Sequence, residues 1–362
     1  MEFNYYLPTR IVFGRGALEK NAATIALGKR AFIVTGKSSG RVSGALGDAI
    51  EALEKCGAEY DVFEGIGNNP ELEQCYDAGT AARRFKADFI VGIGGGSPLD
   101  ASKAVAAFAA NDMTPDDIFK NTFENGVLPI FAIPTTSGTG SEVTPWSVMT
   151  YHKMRTKRSF GCTLTFPRVA LLDPKYTDSL PLDVTRSTSM DAFEHCFESV
   201  ISKKASPFTD AGNFYALGEF GKLMKQLEDG EVYSLRDMMM LISMIGGTTI
   251  AHTGTTLMHA MGYPLTYFHG IPHGTANAMV MPVYMKVVRR FKPERLNAAL
   301  SALGMSYGEL EAYLMRNYPL TVHPDDADVD LWAEQAAVQG ATLNTGIPCD
   351  KESLKEIFAM LK

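Results

Sequence analysis

Cysteine, tryptophan and histidine are scarce in this chain, which has five, two and seven of them among 362 residues. The cysteines, Cys56, Cys75, Cys162, Cys196 and Cys349, are widely spaced and form no CxxC pair, which excludes a disulfide framework and leaves reduced thiols as the expectation. No stretch approaches the ~18 consecutive apolar residues of a membrane span, so no membrane partner is expected. Positive charge is also short: 34 Lys and Arg stand against 41 Asp and Glu, a formal net charge of -7. The basic residues are scattered and gather into no stripe, which argues against nucleic acid as a partner. The opening MEFNYYLPTRIVFG lacks the basic start and continuous apolar core of a secretory signal, so a cytoplasmic location is expected.

What is present has the length of about two domains. Between residues 30 and 173, short apolar or β-branched runs alternate with helical stretches, the pattern of a parallel sheet covered by helices. The runs are AFIVT at 31–35, YDVF at 60–63, DFIVGIGG at 88–95, LPIFAIP at 128–134 and VALLD at 169–173. Beyond Pro181 the strand-like runs cease. The text becomes helical, with helices expected at 184–202, 207–227, 234–262, 274–290, 294–302, 306–316 and 328–340. We therefore expect an α/β dinucleotide-binding domain over 1–180 and an all-helical domain over 181–362.

The strand DFIVGI runs straight into GGGSPLDASKAVAAFAA. Gly94, Gly95 and Gly96 lack a Cβ, so the backbone can approach a pyrophosphate, and the first amides of the following helix can bond to it. Ser97 is expected at the N-cap, with Pro98 in the first turn. A glycine triplet alone reads equally as a tight turn. A second strand, LPIFAIP, leads into TTSGTGSEVTP, which places several hydroxyls on a glycine-permissive backbone where open α/β sheets bind their ligands.

In STSMDAFEHCFESV, Asp191 and His195 stand four apart on a helical segment, so both emerge on one face, a spacing shared by metal ligands and by ordinary surface pairs. The segment HTGTTLMHAMGYPLTYFHGIPHGTANAMVMP adds His252, His259, His269 and His273 in an apolar setting. One carboxylate with three imidazoles suits a borderline divalent ion such as Fe(II) or Zn(II). His252 reads as a core histidine, and His152 and His323 read as surface residues.

At these residues the chain resembles the iron-containing, or group III, alcohol dehydrogenases along essentially its whole length. The motifs are GGGSPLDASKA at 94–104, PTTSGTGSEVT at 134–144, VALLDP at 169–174, the segment from Asp191 to Ser199, and HAMGYPL followed by PHGTANAMVMP. The resemblance implies a Rossmann-like N-terminal domain, an all-helical C-terminal domain in a dehydroquinate synthase-like architecture, and a metal in the cleft between them. It implies Asp191, His195, His259 and His273 as ligands. Gly94, Gly95, Gly96, Ser97 and Asp100 would lie at the pyrophosphate and nicotinamide, Thr135, Thr136 and Thr139 along the cofactor, and Leu172 against its adenine side. The implied reaction is hydride transfer between NAD(P) and a small primary alcohol, diol or aldehyde, with the metal polarising the substrate oxygen.

Two positions depart from the family pattern. Many members carry a histidine one turn after the third ligand as a proton relay, whereas here it is Tyr263, so Tyr263 and His269 become the candidate proton-transfer residues. NAD-preferring relatives carry an aspartate after the first strand of the dinucleotide domain, whereas this chain has Gly36 followed by Lys37, Ser38 and Ser39. Loss of that repelling charge, with a cation and hydroxyls beside it, points to NADP(H) over NAD(H). Fe(II) is the metal expected from the resemblance, with Zn(II) as the alternative. The competing readings are a zinc-dependent glycerol dehydrogenase-like enzyme, a dehydroquinate synthase-like enzyme, and a nucleotide-binding regulator without catalysis. The stretch YYLPTRIVFG could form an exposed strand that pairs with its twin in a homodimer.

Overall fold

The computed structural model describes residues 2–362. Contacts divide the chain into two compact units: Tyr6–Pro181, and Leu182–Lys362 joined by the residues up to Tyr5.

The first unit is built on a six-stranded sheet in the order β1-β8-β5-β4-β2-β3. Its strands are β1 (Arg10–Phe13), β2 (Arg30–Gly36), β3 (Glu59–Ile66), β4 (Phe89–Gly94), β5 (Ile130–Pro134) and β8 (Val169–Leu172), and every pairing among them is parallel. Helices α1 (Ala45–Lys55), α2 (Leu72–Phe85) and α3 (Gly96–Ala110) lie between consecutive strands. Because helices cover both faces, β4 and β5 are buried along their whole length and read as unbroken apolar runs. Alternate residues of β2 feed two separate cores: Phe32 and Val34 pack with Leu72, Cys75 and Phe108, while Ile33 packs with Leu46, Leu53, Val91 and Phe131. The strand order reverses between β2 and β4, and the carboxyl ends of strands at such a reversal are where open α/β sheets hold ligands.

One further strand falls within the stretch YYLPTRIVFG expected to form an exposed strand, and one hairpin goes beyond the expected strands. β1 joins the sheet at its edge beside β8, and an antiparallel hairpin, β6 (Ser147–Tyr151) with β7 (Thr156–Phe160), follows the second glycine-containing loop.

The second unit is helical: α4 (Leu182–Ile201), α5 (Pro207–Asp229), α6 (Arg236–Thr253), α7 (Leu257–His269), α8 (His273–Phe291), α9 (Pro293–Leu303), α10 (Tyr307–Asn317), α11 (Asp326–Ala337) and α12 (Lys351–Ala359). Its core gathers Met190, Phe193, Phe197, Phe220, Met258 and Tyr284. The expected single helix over 234–262 is in fact two. α6 ends at Gly254, whose φ of 65° is open to glycine at little cost, and α7 restarts after the extended Thr256 and runs on to His269. This break sets the direction of the helix that carries His259.

Candidate active site

The acidic and imidazole cluster of the helical unit is built on α4. Asp191, Glu194, His195 and Glu198 share one face of that helix, and all four are buried. His259 enters from the first turns of α7. Its Nε2 lies 3.1 Å from His195 Nε2, and Asp191 Oδ1 lies 3.7 Å from each of those nitrogens. A point equidistant from atoms so spaced is roughly 2.0 Å from each, the bond length of a divalent ion to imidazole nitrogen or carboxylate oxygen. Among the described residues Asp191 Oδ1 receives no hydrogen bond, and these three side chains form a group able to hold a metal ion.

The electrostatics point the same way. Burial opposes the charge on Asp191, but His195, His259 and His273 outweigh it and hold the carboxyl well below its ordinary range. Burial alone would lower the His259 pKa; Glu198 and Asp191 override it and push it up to about 10. Glu194 is pushed well above the usual carboxyl value by burial and by the charge of Asp191. A buried group that keeps Asp191 charged and holds protons on His259 and Glu194 accommodates a cation in place of those protons.

His273 opens α8 at the border of this group, its ring centroid 5.0 Å from that of His259 at an interplanar angle of 75°. Tyr263 is half-buried and stacks on His273 at 5.5 Å, with its edge toward His259 at 6.5 Å. His269 is not brought to the cluster. It is the exposed last residue of α7, its ring centroid 6.4 Å from that of Trp332. His252 also lies apart, stacked on Tyr5 at 4.0 Å with Nδ1 against the Thr248 carbonyl oxygen at 2.8 Å. His152 and His323 are exposed.

Glu198 escapes a reading based on sequence spacing. Its Oε1 accepts from the Thr256 amide at 3.1 Å, the Thr256 hydroxyl at 2.6 Å and the His259 amide at 3.3 Å, while Oε2 is in close ion-pair contact with His259 Nδ1. The sequence hints only that a carboxylate stands one turn after His195.

In the α/β unit, the two glycine-containing loops form one surface. The Thr135 amide donates to the Gly94 carbonyl oxygen at 2.9 Å. A Cβ on Gly95 would stand 3.1 Å from Thr136, and one on Gly96 only 2.5 Å from Thr139 Cγ2. Gly94 has a φ of 146° and faces Pro98. Much of the demand for glycine here therefore comes from the approach of the second loop. Helix α3 starts at Gly96 with Gly95 as N-cap, two residues earlier than expected, and Ser97 is not the cap. Its Oγ instead accepts from the Asn69 amide at 3.1 Å. No side chain caps this helix start among the described residues, and the buried hydroxyls of Thr135 and Ser137 have no hydrogen-bond partner there. Uncapped amides and unsatisfied hydroxyl donors fit the oxygens of a pyrophosphate.

Asp100 has a different environment from the one expected. Its carboxylate accepts from Ser141 Oγ at 2.5 Å and from the Val148 amide at 2.8 Å, tying the second loop and the hairpin to α3. Beside it the fully buried Lys103 donates to Ser141 Oγ at 2.7 Å, Thr144 Oγ1 at 3.2 Å and the Trp146 carbonyl oxygen at 2.5 Å. Burial pushes the Lys103 pKa down to about 8 and that of the nearby Glu142 up to about 7. Leu172 ends β8 with its side chain fully buried. Gly36 is buried at the end of β2, Lys37 and Ser38 are exposed, and Ser39 opens a one-turn helix.

Comparison with known proteins agrees with this geometry. The iron-containing alcohol dehydrogenase family matches residues 8–174, and the C-terminal domain of Fe-containing alcohol dehydrogenases matches residues 185–317. A sulfoacetaldehyde reductase from Bilophila wadsworthia is 35% identical over 78% of this chain and 74% of its own length. An NADPH-dependent butanol dehydrogenase from Clostridium saccharobutylicum is 28% identical over 98% of this chain and 96% of its own. The crystal structure of an iron-containing alcohol dehydrogenase from Thermotoga maritima superposes with a TM-score of 0.91 at 35% identity, covering 99% of both chains. Matched in both halves in chain order, and again in three dimensions, this chain belongs to the iron-containing alcohol dehydrogenase family.

Proposed function

We propose that this enzyme interconverts a small aldehyde and its primary alcohol with NADP(H), using Fe(II) held by Asp191, His195, His259 and His273. The observation that carries this reading is the convergence of Asp191 Oδ1, His195 Nε2 and His259 Nε2 at 3.1 to 3.7 Å. His273, bordering the same group, supplies the fourth ligand. When bound, the ion supplies a Lewis acid toward the substrate oxygen, and the nicotinamide supplies or accepts the hydride.

The chain's own residues do the rest. The amides at the start of α3 and the hydroxyls of Thr135, Thr136 and Thr139 hold the pyrophosphate, with Gly94, Gly95 and Gly96 keeping the two loops in contact. Tyr263, one turn beyond His259, provides a hydroxyl that can pass a proton to or from the substrate oxygen. Lys37, Ser38 and Ser39 take a 2′-phosphate at the end of β2, where Gly36 presents no opposing charge. Coenzyme choice varies among the relatives, since one is named for NADPH and another, from Bacillus subtilis, for NADH. The reading for NADP(H) therefore rests on residues 36–39. Relatives named for butanol, 1,3-propanediol and sulfoacetaldehyde point to a short, unbranched substrate. The edge position of β1 supports pairing of two copies as a homodimer.

The test is the initial rate of coenzyme oxidation by Fe(II)-loaded protein with a panel of short aldehydes. The reading expects a higher kcat/KM with NADPH than with NADH, and no turnover after metal removal. Turnover by metal-free protein overturns it.

A further inference from the structure

The α7 helix has an N-cap residue, Thr256, whose side chain does not cap its own helix. The acceptor at this helix start is Glu198 of α4, whose Oε1 receives the Thr256 amide, the Thr256 hydroxyl and the His259 amide. The Thr256 hydroxyl is also 2.7 Å from the Tyr284 hydroxyl, so the carboxylate sits in a closed set of partners and cannot swing away. Its other oxygen faces His259 Nδ1. Glu198 is fully buried, which makes an unpaired carboxylate there costly and the observed pairing firm.

An imidazole has two nitrogens, and the one that binds a metal must be free of a proton. A carboxylate against Nδ1 keeps the proton on Nδ1 and leaves the lone pair on Nε2, the atom turned toward Asp191 and His195. We propose that Glu198 is the positioning residue of the metal site, fixing both the place of His259, through the start of α7, and its tautomer, through Nδ1. This rests on the metal reading given above and adds to it a residue outside the ligand set. Glu194, on the same face of α4 and equally buried, receives among the described residues none of the backbone amides that Glu198 Oε1 does, so burial near the cluster does not by itself produce the arrangement.

The experiment uses the full-length chain stripped of metal and titrated with Zn(II) alone against a chromophoric chelator. Glu198→Gln puts an amide NH2 against either the Thr256 and His259 amides or Nδ1, so one set of contacts is lost. We expect Zn(II) affinity to fall about 10- to 100-fold, with folding checked by circular dichroism. Thr256→Ser, which keeps the hydroxyl, should stay within about threefold of the parent, short of the roughly tenfold or greater fall expected for Glu198→Gln. Nitrogen-15 histidine spectra of the Zn(II)-loaded parent should show His259 protonated at Nδ1, a readout that helix capping alone does not set and that stands even if Glu198→Gln does not fold. Equal Zn(II) affinity of folded Glu198→Gln and parent, or a His259 without an Nδ1 proton, overturns the role of Glu198 while the metal reading stands. A parent that binds neither Zn(II) nor Fe(II) overturns both.

Discussion

Gly274 lies directly against the Ser187 backbone: a Cβ there would stand 2.0 Å from the Ser187 carbonyl oxygen and 2.9 Å from the Asp191 amide. Helix α8 can begin beside α4, with His273 next to the cluster, only because residue 274 has no side chain. Gly274→Ala should therefore push α8 off α4. Overpacking of this kind costs about 1–3 kcal/mol, and we expect a lower Tm in differential scanning calorimetry together with weaker metal retention on dialysis. A variant that keeps both would show that the helices separate without moving His273.

Removal of a cluster residue tests the site directly. Asp191→Ala and His259→Ala each leave the remaining ligand atoms too few to grip an ion, so purified protein should carry well under one equivalent of iron by elemental analysis, and turnover should vanish with it. Full metal content in either variant would contradict the assignment.

The proposed preference for NADP(H) rests on the residues around Gly36 and can be tested there. A side chain at Gly36 would meet mainly the mobile Ser39 hydroxyl, 2.9 Å from the Cβ, so Gly36→Asp can be accommodated. Its charge should lower kcat/KM for NADPH by about tenfold or more, which corresponds to about 1.4 kcal/mol, while NADH is used as well as before or better. Steady-state kinetics with both coenzymes gives the ratio, and an unchanged ratio would remove residues 36–39 from the explanation.

Tyr263→Phe keeps the ring that stacks on His273 and removes only the hydroxyl. If that hydroxyl relays the proton, kcat should fall about 10²-fold, the lower range for loss of a general acid, with metal content intact. A kcat within twofold of the parent would assign the proton to water or another group.

Buried Glu142 and Lys103 give the α/β unit a specific pH dependence. Burial pushes the Glu142 pKa from its ordinary 4.5 up to about 7, so between those values the folded chain keeps a proton that the unfolded chain has released. Its stabilising contribution is full below pH 4.5 and is lost as pH rises toward 7. Lys103, pushed down from 10.5 to about 8, has the opposite window: stability rises between about pH 8 and 10.5, where the unfolded chain still holds the proton. The Tm of the parent should therefore decline from pH 5 to 7 relative to Glu142→Gln, and parallel profiles would refute the burial argument.

The strands and cluster residues that sequence reveals are those whose cause is local. β2, β4, β5 and β8 announce themselves because strands covered on both faces must be apolar throughout. β1 is legible only as a stretch able to form an exposed strand, since RIVF is short and exposed at its ends, and the β6–β7 hairpin is not legible, since TKRSF carries charges on a partly exposed strand. Asp191 and His195 are legible from their spacing on one helix. The break at 254–256 and the role of Glu198 are not, since the acceptor for the start of α7 lies on α4, far away in the chain. The contacts of Asp100 are equally illegible, since its partners Ser141 and Val148 come from the second loop and the hairpin, which sequence spacing does not bring near.

The helical unit is not a continuous stretch of chain. Phe3 and Tyr5 belong to it, with Tyr5 against both Phe208 and His252. During synthesis those aromatic rings leave the ribosome before α5 and α6, and must wait for these helices before they have anything to stack on. A fragment cut at Leu182 would leave Phe208 and His252 bare on that side, so dissecting the protein requires the opening residues to be supplied along with its latter half.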